Sequence, residues 1–98
     1  MKINALIMDP ADNVATCIRE INRGETVFYR MGQEIGEIVA GETIPYCHKV
    51  ALSDLKKGDE IIKYGEVIGR ACQDISAGCW VSHENIHGVP RDYADELL

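Results

Sequence analysis

Apolar and polar positions along this chain change their pattern every few residues, and nowhere do they hold the 3.6-residue repeat of a long helix. Residues Lys2 to Met8 alternate and then run apolar, which predicts a first strand closed by Asp9 and Pro10. Asn13 to Ile18 predict a second. A phrase then recurs as Ile21-Asn-Arg-Gly24-Glu-Thr-Val27, Leu55-Lys-Lys-Gly58-Asp-Glu-Ile61 and Ile75-Ser-Ala-Gly78-Cys-Trp-Val81. In each, an apolar residue enters the core, two residues turn the chain, glycine takes a positive φ, and a β-branched residue follows in the next strand. A related turn, Val39-Ala-Gly41-Glu-Thr-Ile44, launches one more. The segments between glycines are short and rich in Val and Ile, which fit a pleated surface better than a helix. The expectation is a mostly β, compact single domain over residues 1–88 with only short helical turns. The tail from residue 89 to 98 breaks the pattern, and Pro90-Arg-Asp-Tyr93 offers a short C-terminal helix or a frayed end.

Ninety-eight residues with 46% apolar content can bury a modest core without metal or disulfide support. Sixteen acidic against ten basic residues leave a net charge of −6, with no basic run able to neutralise phosphates, so nucleic acid is excluded as a partner. No window is apolar enough for a membrane helix, and residues 1–10 lack the features of an export signal, so a cytoplasmic location is expected. In that reducing compartment Cys17, Cys47, Cys72 and Cys79 read as free thiols in apolar stretches. Self-association into a homo-oligomer stays open.

Chemistry concentrates between Ile44 and Gly69. Tyr46, Cys47, His48 and Lys49 form one polar tip; Lys63, Tyr64, Gly65 and Glu66 form another. A histidine can serve as general acid toward a leaving hydroxide, Lys49 and Lys63 can bind a carboxylate, and Tyr64 can donate to a substrate hydroxyl. The same residues also fit a strand-end cap and solvated lysines. If Cys79 to His87 is one strand, Cys79, His83, Asn85 and His87 share a face, though their spacing matches no tight metal motif. Glu34, Glu37 and Glu42 read as a solvated edge and Trp80 as a core plug.

Asp12-Asn-Val-Ala, Ile44-Pro-x-x-His48-Lys-Val-Ala-Leu, Lys63-Tyr-Gly-Glu-Val-Ile-Gly69 and Ile75-x-x-Gly78-x-Trp-Val81 together resemble the small SAF (antifreeze-like) domain of the altronate/galactarate dehydratase family. The resemblance implies a β-clip fold. It implies a lyase of the hydro-lyase type, removing water from a small hydroxy-acid substrate to give a 2-keto-3-deoxy acid. The catalysis would rest on a large catalytic dehydratase subunit, here a separate polypeptide, holding a divalent metal such as iron or manganese, with none bound by this chain. His48 stands in the motif as the catalytic residue; Lys49, Lys63, Tyr64, His83 and Asn85 stand as substrate-binding residues. A close branch resembles sulfolactate sulfo-lyase, and SAF domains also serve as non-catalytic carbohydrate-binding or assembly modules. One departure is Val81-Ser82-His83-Glu84-Asn85, where relatives often carry His-x-His-Asn, so Ser82 replaces the first histidine.

Overall fold

The computed structural model describes residues 2–88. Nine strands follow in order: β1 (Ala5–Leu6), β2 (Val14–Cys17), β3 (Thr26–Met31), β4 (Glu34–Val39), β5 (Lys49–Ala51), β6 (Glu60–Lys63), β7 (Glu66–Ala71), β8 (Trp80–Val81) and β9 (Ile86–Gly88). The architecture is mostly β, as the residue pattern predicts. The expected single helical turns do not occur among the described residues, where hydrogen-bonded turns too short to close a helical ring take their places. The tail expected to form a helix or a frayed end lies outside the described residues.

A six-stranded sheet runs in the order β4-β3-β1-β2-β5-β8, and a three-stranded sheet in the order β6-β7-β9. Among the described residues only β1 and β3 pair in parallel; the other neighbours are antiparallel. Along β2, Ala15 and Cys17 face one core with Ile21, Val27, Ile44 and Val50, while Val14 faces a second with Ala51, Leu55, Ile61, Ile75 and Val81. A strand with a core on each side cannot alternate apolar and polar residues, which is why Val-Ala-Thr-Cys reads as a continuous run.

The recurring phrase marks an internal duplication that the hydrogen bonds spell out. Ile21 pairs with Ile44 in an isolated antiparallel bridge, and Leu55 pairs with Ile75 in the same way. Gly24 N–H donates to Ala40 O at 2.8 Å, and Gly58 N–H to Ala71 O at 2.7 Å. Asn4 uses its side chain as a piece of strand against Thr26 O and Phe28 N–H, and Asn13 repeats this against Glu60 O and Ile62 N–H. Each half is thus a hairpin, β3–β4 or β6–β7, held between two plugged turns and an asparagine bridge.

Gly24, Gly58 and Gly78 adopt φ of 88°, 94° and 88°. The fourth copy of the turn is Ile44-Pro-Tyr-Cys47-His-Lys-Val50, in which Cys47 takes the glycine's place at φ 68°. The equivalence is local and specific: Cys47 N–H donates to Cys17 O as Gly78 N–H donates to Ala51 O. A side chain in this left-handed region is strained, so the duplication departs from its own rule at the tip that carries His48.

Candidate functional site

His48 sits immediately before β5, its carbonyl accepting from Cys17 N–H at 2.9 Å and its N–H donating to Pro45 O at 3.1 Å. The backbone is held, while the imidazole is exposed. Trp80 on β8 fixes the ring: its indole Nε1–H donates to His48 Nδ1 at 3.2 Å, and the two rings meet edge to face at 5.1 Å and 87°. An indole nitrogen can only donate, so Nδ1 must present a lone pair and the ring proton of neutral His48 resides on Nε2. Trp80 is in turn placed by Glu42, whose Oε2 accepts from Trp80 N–H at 3.0 Å. It therefore packs on the first core, as the core-plug reading expects, and also orients the histidine.

Cys79 to His87 is not one strand. β8 ends at Val81, a turn follows, and β9 begins at Ile86, so the expected face of Cys79, His83, Asn85 and His87 does not form. The turn is stabilised from within: Asn85 Oδ1 accepts from Ser82 N–H at 2.9 Å, Asn85 Nδ2 donates to Trp80 O at 2.8 Å, and Ser82 Oγ accepts from Glu84 N–H at 3.2 Å. Asn85 spends its amide on the chain that carries Trp80, and His83 is exposed in the turn. A polar hollow of about 250 Å³ lies here, lined by Glu42, Gln73, Trp80, Ser82, Glu84 and Asn85. Among the described residues no group of three or more His, Cys, Asp or Glu side chains could hold a metal ion.

The second tip is built by a two-residue hairpin. Tyr64 and Gly65 have φ of 55° and 78°, the pair of positive values that joins strands in a type I′ turn. Asp12 holds it: its carboxylate accepts from Gly65 N–H at 2.8 Å and from Met8 N–H at 3.0 Å. Burial pushes the Asp12 carboxyl upward, but backbone N–H groups of Met8, Gly65, Tyr64 and Asp9 together bring it below the ordinary value of 3.8. Sequence reading left Asp12 as a motif letter without a role; an acidic residue flanked by turn formers was the available signal. Lys63 Nζ lies 5.1 Å over the Tyr64 ring. Lys49 is half-buried, and burial first, then the Lys63 charge, holds its ammonium below the usual lysine range.

The residues singled out from the sequence therefore fall into two groups. Lys49, Lys63 and Tyr64 gather on one side, because Lys49 aligns with Thr16 and Val81 on the face that bears the second core. His48 gathers with Trp80 at the margin of the opposite face, next to the turn of His83 and Asn85. A further feature that sequence reading missed is an apolar groove of about 810 Å³ lined by Ile3, Leu6, Met8, Ile18, Met31 and Arg30, sharing no lining residue with the polar hollow.

Residues 3–88 match the family described as the altronate/galactarate dehydratase SAF domain, and the chain belongs to that family. It is 36% identical over 88 residues to the altronate dehydratase of Bacillus subtilis (strain 168), which covers 89% of this chain and 16% of that protein. It is 35% identical over 95 residues to the altronate dehydratase of Escherichia coli (strain K12), covering 97% and 17% respectively. The chain thus spans about a sixth of these dehydratases. It is also 28% identical over 103 residues to the (2R)-sulfolactate sulfo-lyase subunit alpha of Chromohalobacter salexigens, covering 91% of this chain and 95% of that subunit. Among the described residues no helix is long and apolar enough to cross a membrane.

Proposed function

We propose that this chain is the small component of a sugar-acid hydro-lyase of the altronate/galactarate type, working with a larger catalytic component that carries the divalent metal. The observation that carries this reading is the exposed His48 ring, oriented by the Trp80 indole on a strained tip. Family membership supports the lyase class. In this arrangement His48 faces the substrate with Nε2–H. Because Nδ1 must stay unprotonated to accept from Trp80, the ring acts as a neutral hydrogen-bond donor toward an oxygen on which negative charge builds. A full proton transfer from this tautomer would leave an imidazolate, so the role is electrostatic stabilisation rather than outright delivery of the proton.

Mixing the chain with its larger component and replacing His48 tests this. His48→Ala is expected to lower turnover by about 10²-fold, the usual effect of deleting one aligned donor, while the two components still co-elute on gel filtration. Wild-type turnover in that variant would overturn the site; loss of co-elution alone would make the tip an assembly element. A second reading has its own support, the alignment over 95% of a sulfolactate sulfo-lyase alpha subunit. Release of sulfite from sulfolactate, with no keto-deoxy acid formed from altronate or galactarate, would decide for that branch.

A further inference from the structure

We propose that the outer edge of β4 is a docking site for an extended strand of another protein, one that carries a lysine or arginine between two apolar residues at alternate positions. None of the residues involved belongs to the functional reading above.

The internal duplication shows what such an edge holds. In the second half of the chain, β9 lines the outer edge of β7 through Ala71, Arg70 and Gly69. In the first half the same edge belongs to β4, the terminal strand of the six-stranded sheet. Both edges begin alike: Cys72 N–H donates to Asn85 O and Gly41 N–H to Gly78 O, each at 2.9 Å. They then diverge. After Asn85 the chain runs on along β7, whereas after Gly78 it turns away to form β8 against β5. Among the described residues no strand takes the place beside β4 that β9 takes beside β7.

The free backbone groups can be named. Ala40 N–H donates inward to Glu25 O at 2.8 Å, so with a period of two Ile38, Gly36 and Glu34 also face β3, and Val39, Glu37 and Ile35 turn their N–H and C=O outward. Gly78 packs on the Val39 carbonyl oxygen and closes that end. Glu37 and Ile35 receive no backbone hydrogen bond from outside the hairpin among the described residues. The pairing with β3 runs through all six residues without a register shift, while β6–β7 shifts between Ile61 and Ile62. The strand carries no lysine, proline or bulge, the devices by which edges are commonly blunted. Strand addition to such an edge draws affinity from the main chain and specificity from alternate side chains.

Side chains decide which strand fits. Val39, Glu37 and Ile35 share the solvent face with Phe28, which lies directly opposite Glu37. Val39 is 59% exposed and Ile35 38%. An acid between two exposed apolar residues is matched by a base between two apolar residues, since opposite charges facing each other across strands attract and like charges repel. A second copy fits worse: it brings its own net charge of −6, and the register that sets Val39 against Ile35 sets Glu37 against Glu37.

The test is an NMR titration of the full 98-residue chain at constant ionic strength with the capped peptide Val-Thr-Lys-Thr-Val. Saturable shifts centred on Ile35, Glu37 and Val39 are expected, with a dissociation constant of about 1 mM and slowed hydrogen exchange at the Ile35 and Glu37 amides. The peptide Val-Thr-Glu-Thr-Val should bind about fivefold more weakly, and Glu37→Lys should reverse that preference. Methylating the lysine amide nitrogen of the first peptide keeps its charge and apolar surface but removes one strand-to-strand hydrogen bond, and should abolish binding. Absence of saturation up to about 20 mM, well past the affinity expected, would overturn the proposal, as would equal binding of the two peptides or full binding of the methylated one. Ile35 and Glu37 amides already protected before peptide is added, or a dimer in sedimentation that Glu37→Lys disperses, would give the edge to a segment of this chain or to a second copy and overturn it likewise. No readout depends on turnover, so failure of the His48 reading leaves this one standing.

Discussion

Cys47 occupies a backbone conformation that its three sister turns reserve for glycine, and replacing it tests the idea that strain is stored at the His48 tip. A left-handed non-glycine residue costs roughly 1–2 kcal/mol. Glycine returns about 0.5–1 kcal/mol of this through the greater freedom of the unfolded chain. The thiol is exposed, so no core contact is lost. Cys47→Gly should therefore stabilise the chain by about 0.5–1 kcal/mol, or about 2–8 °C in melting temperature for a domain of this size. The sister turns supply the opposite arm. Gly24→Ala and Gly58→Ala place a methyl in open space and should cost only the conformational penalty, about 1 kcal/mol each. Gly78→Ala should cost distinctly more, because its methyl would run into the Val39 carbonyl oxygen. Urea titrations with a common m-value would read all four. A Cys47→Gly variant that melts at or below the wild type, or a Gly78→Ala variant no worse than Gly24→Ala, would refute the reasoning. If Cys47→Gly gains stability and the reconstituted enzyme slows, the strain serves to aim His48.

The Asp12 carboxyl is held below its unfolded value of 3.8, so the unfolded chain binds the extra proton. That contribution is fully present above pH 3.8 and is lost as pH falls through the lower folded value. Asp12→Asn should lower stability at neutral pH by about 2 kcal/mol, the worth of charge-assisted hydrogen bonds, and flatten the acid limb of a stability–pH profile; an unchanged limb would contradict the clamp. Thiol labelling should separate Cys47, which is exposed, from Cys17, whose thiol burial pushes up to about 11. Cys47 should react at once and Cys17 only on unfolding, and prompt modification of both would show that the first core is open. In nitrogen-15 spectra of neutral His48, the proton should sit on Nε2 in the wild type. Trp80→Phe should mix the two tautomers; an unaltered ratio would mean that the indole bond does not set them.

Much of the scaffold was legible because its signals are local. Gly24, Gly58 and Gly78 each announce a turn, since a positive φ is a property of one residue, and the apolar residues three before and after each are the plugs the cores contain. The Tyr64-Gly65 hairpin follows from the same chemistry. The fourth turn escaped notice because cysteine stands where glycine was expected, although the spacing from Ile44 to Val50 already carried the signal. The supposed single strand from Cys79 to His87 failed for a different reason: Asn85 and Ser82 bond to nearby backbone and stop the ladder, a competition that alternation alone cannot register.

By itself the sequence determined the β class, the turn positions, the pairing of plug and glycine, and membership of a dehydratase SAF family, because each depends on residues within a few positions or on an ordered string of motifs. Which groups share a face was decided only in three dimensions. The hairpin that carries Lys63 comes to the Lys49 side of the sheet because Asn13 and Asp12 tie it to the chain before β2, and His48 parts from its neighbour Lys49 because adjacent strand residues point to opposite sides. The indole that selects the His48 tautomer lies 32 positions away in the chain and arrives through β5–β8 pairing. Backbone geometry is written residue by residue, whereas the convergence of charges and rings is a consequence of long-range register, which exists only once the sheets have closed.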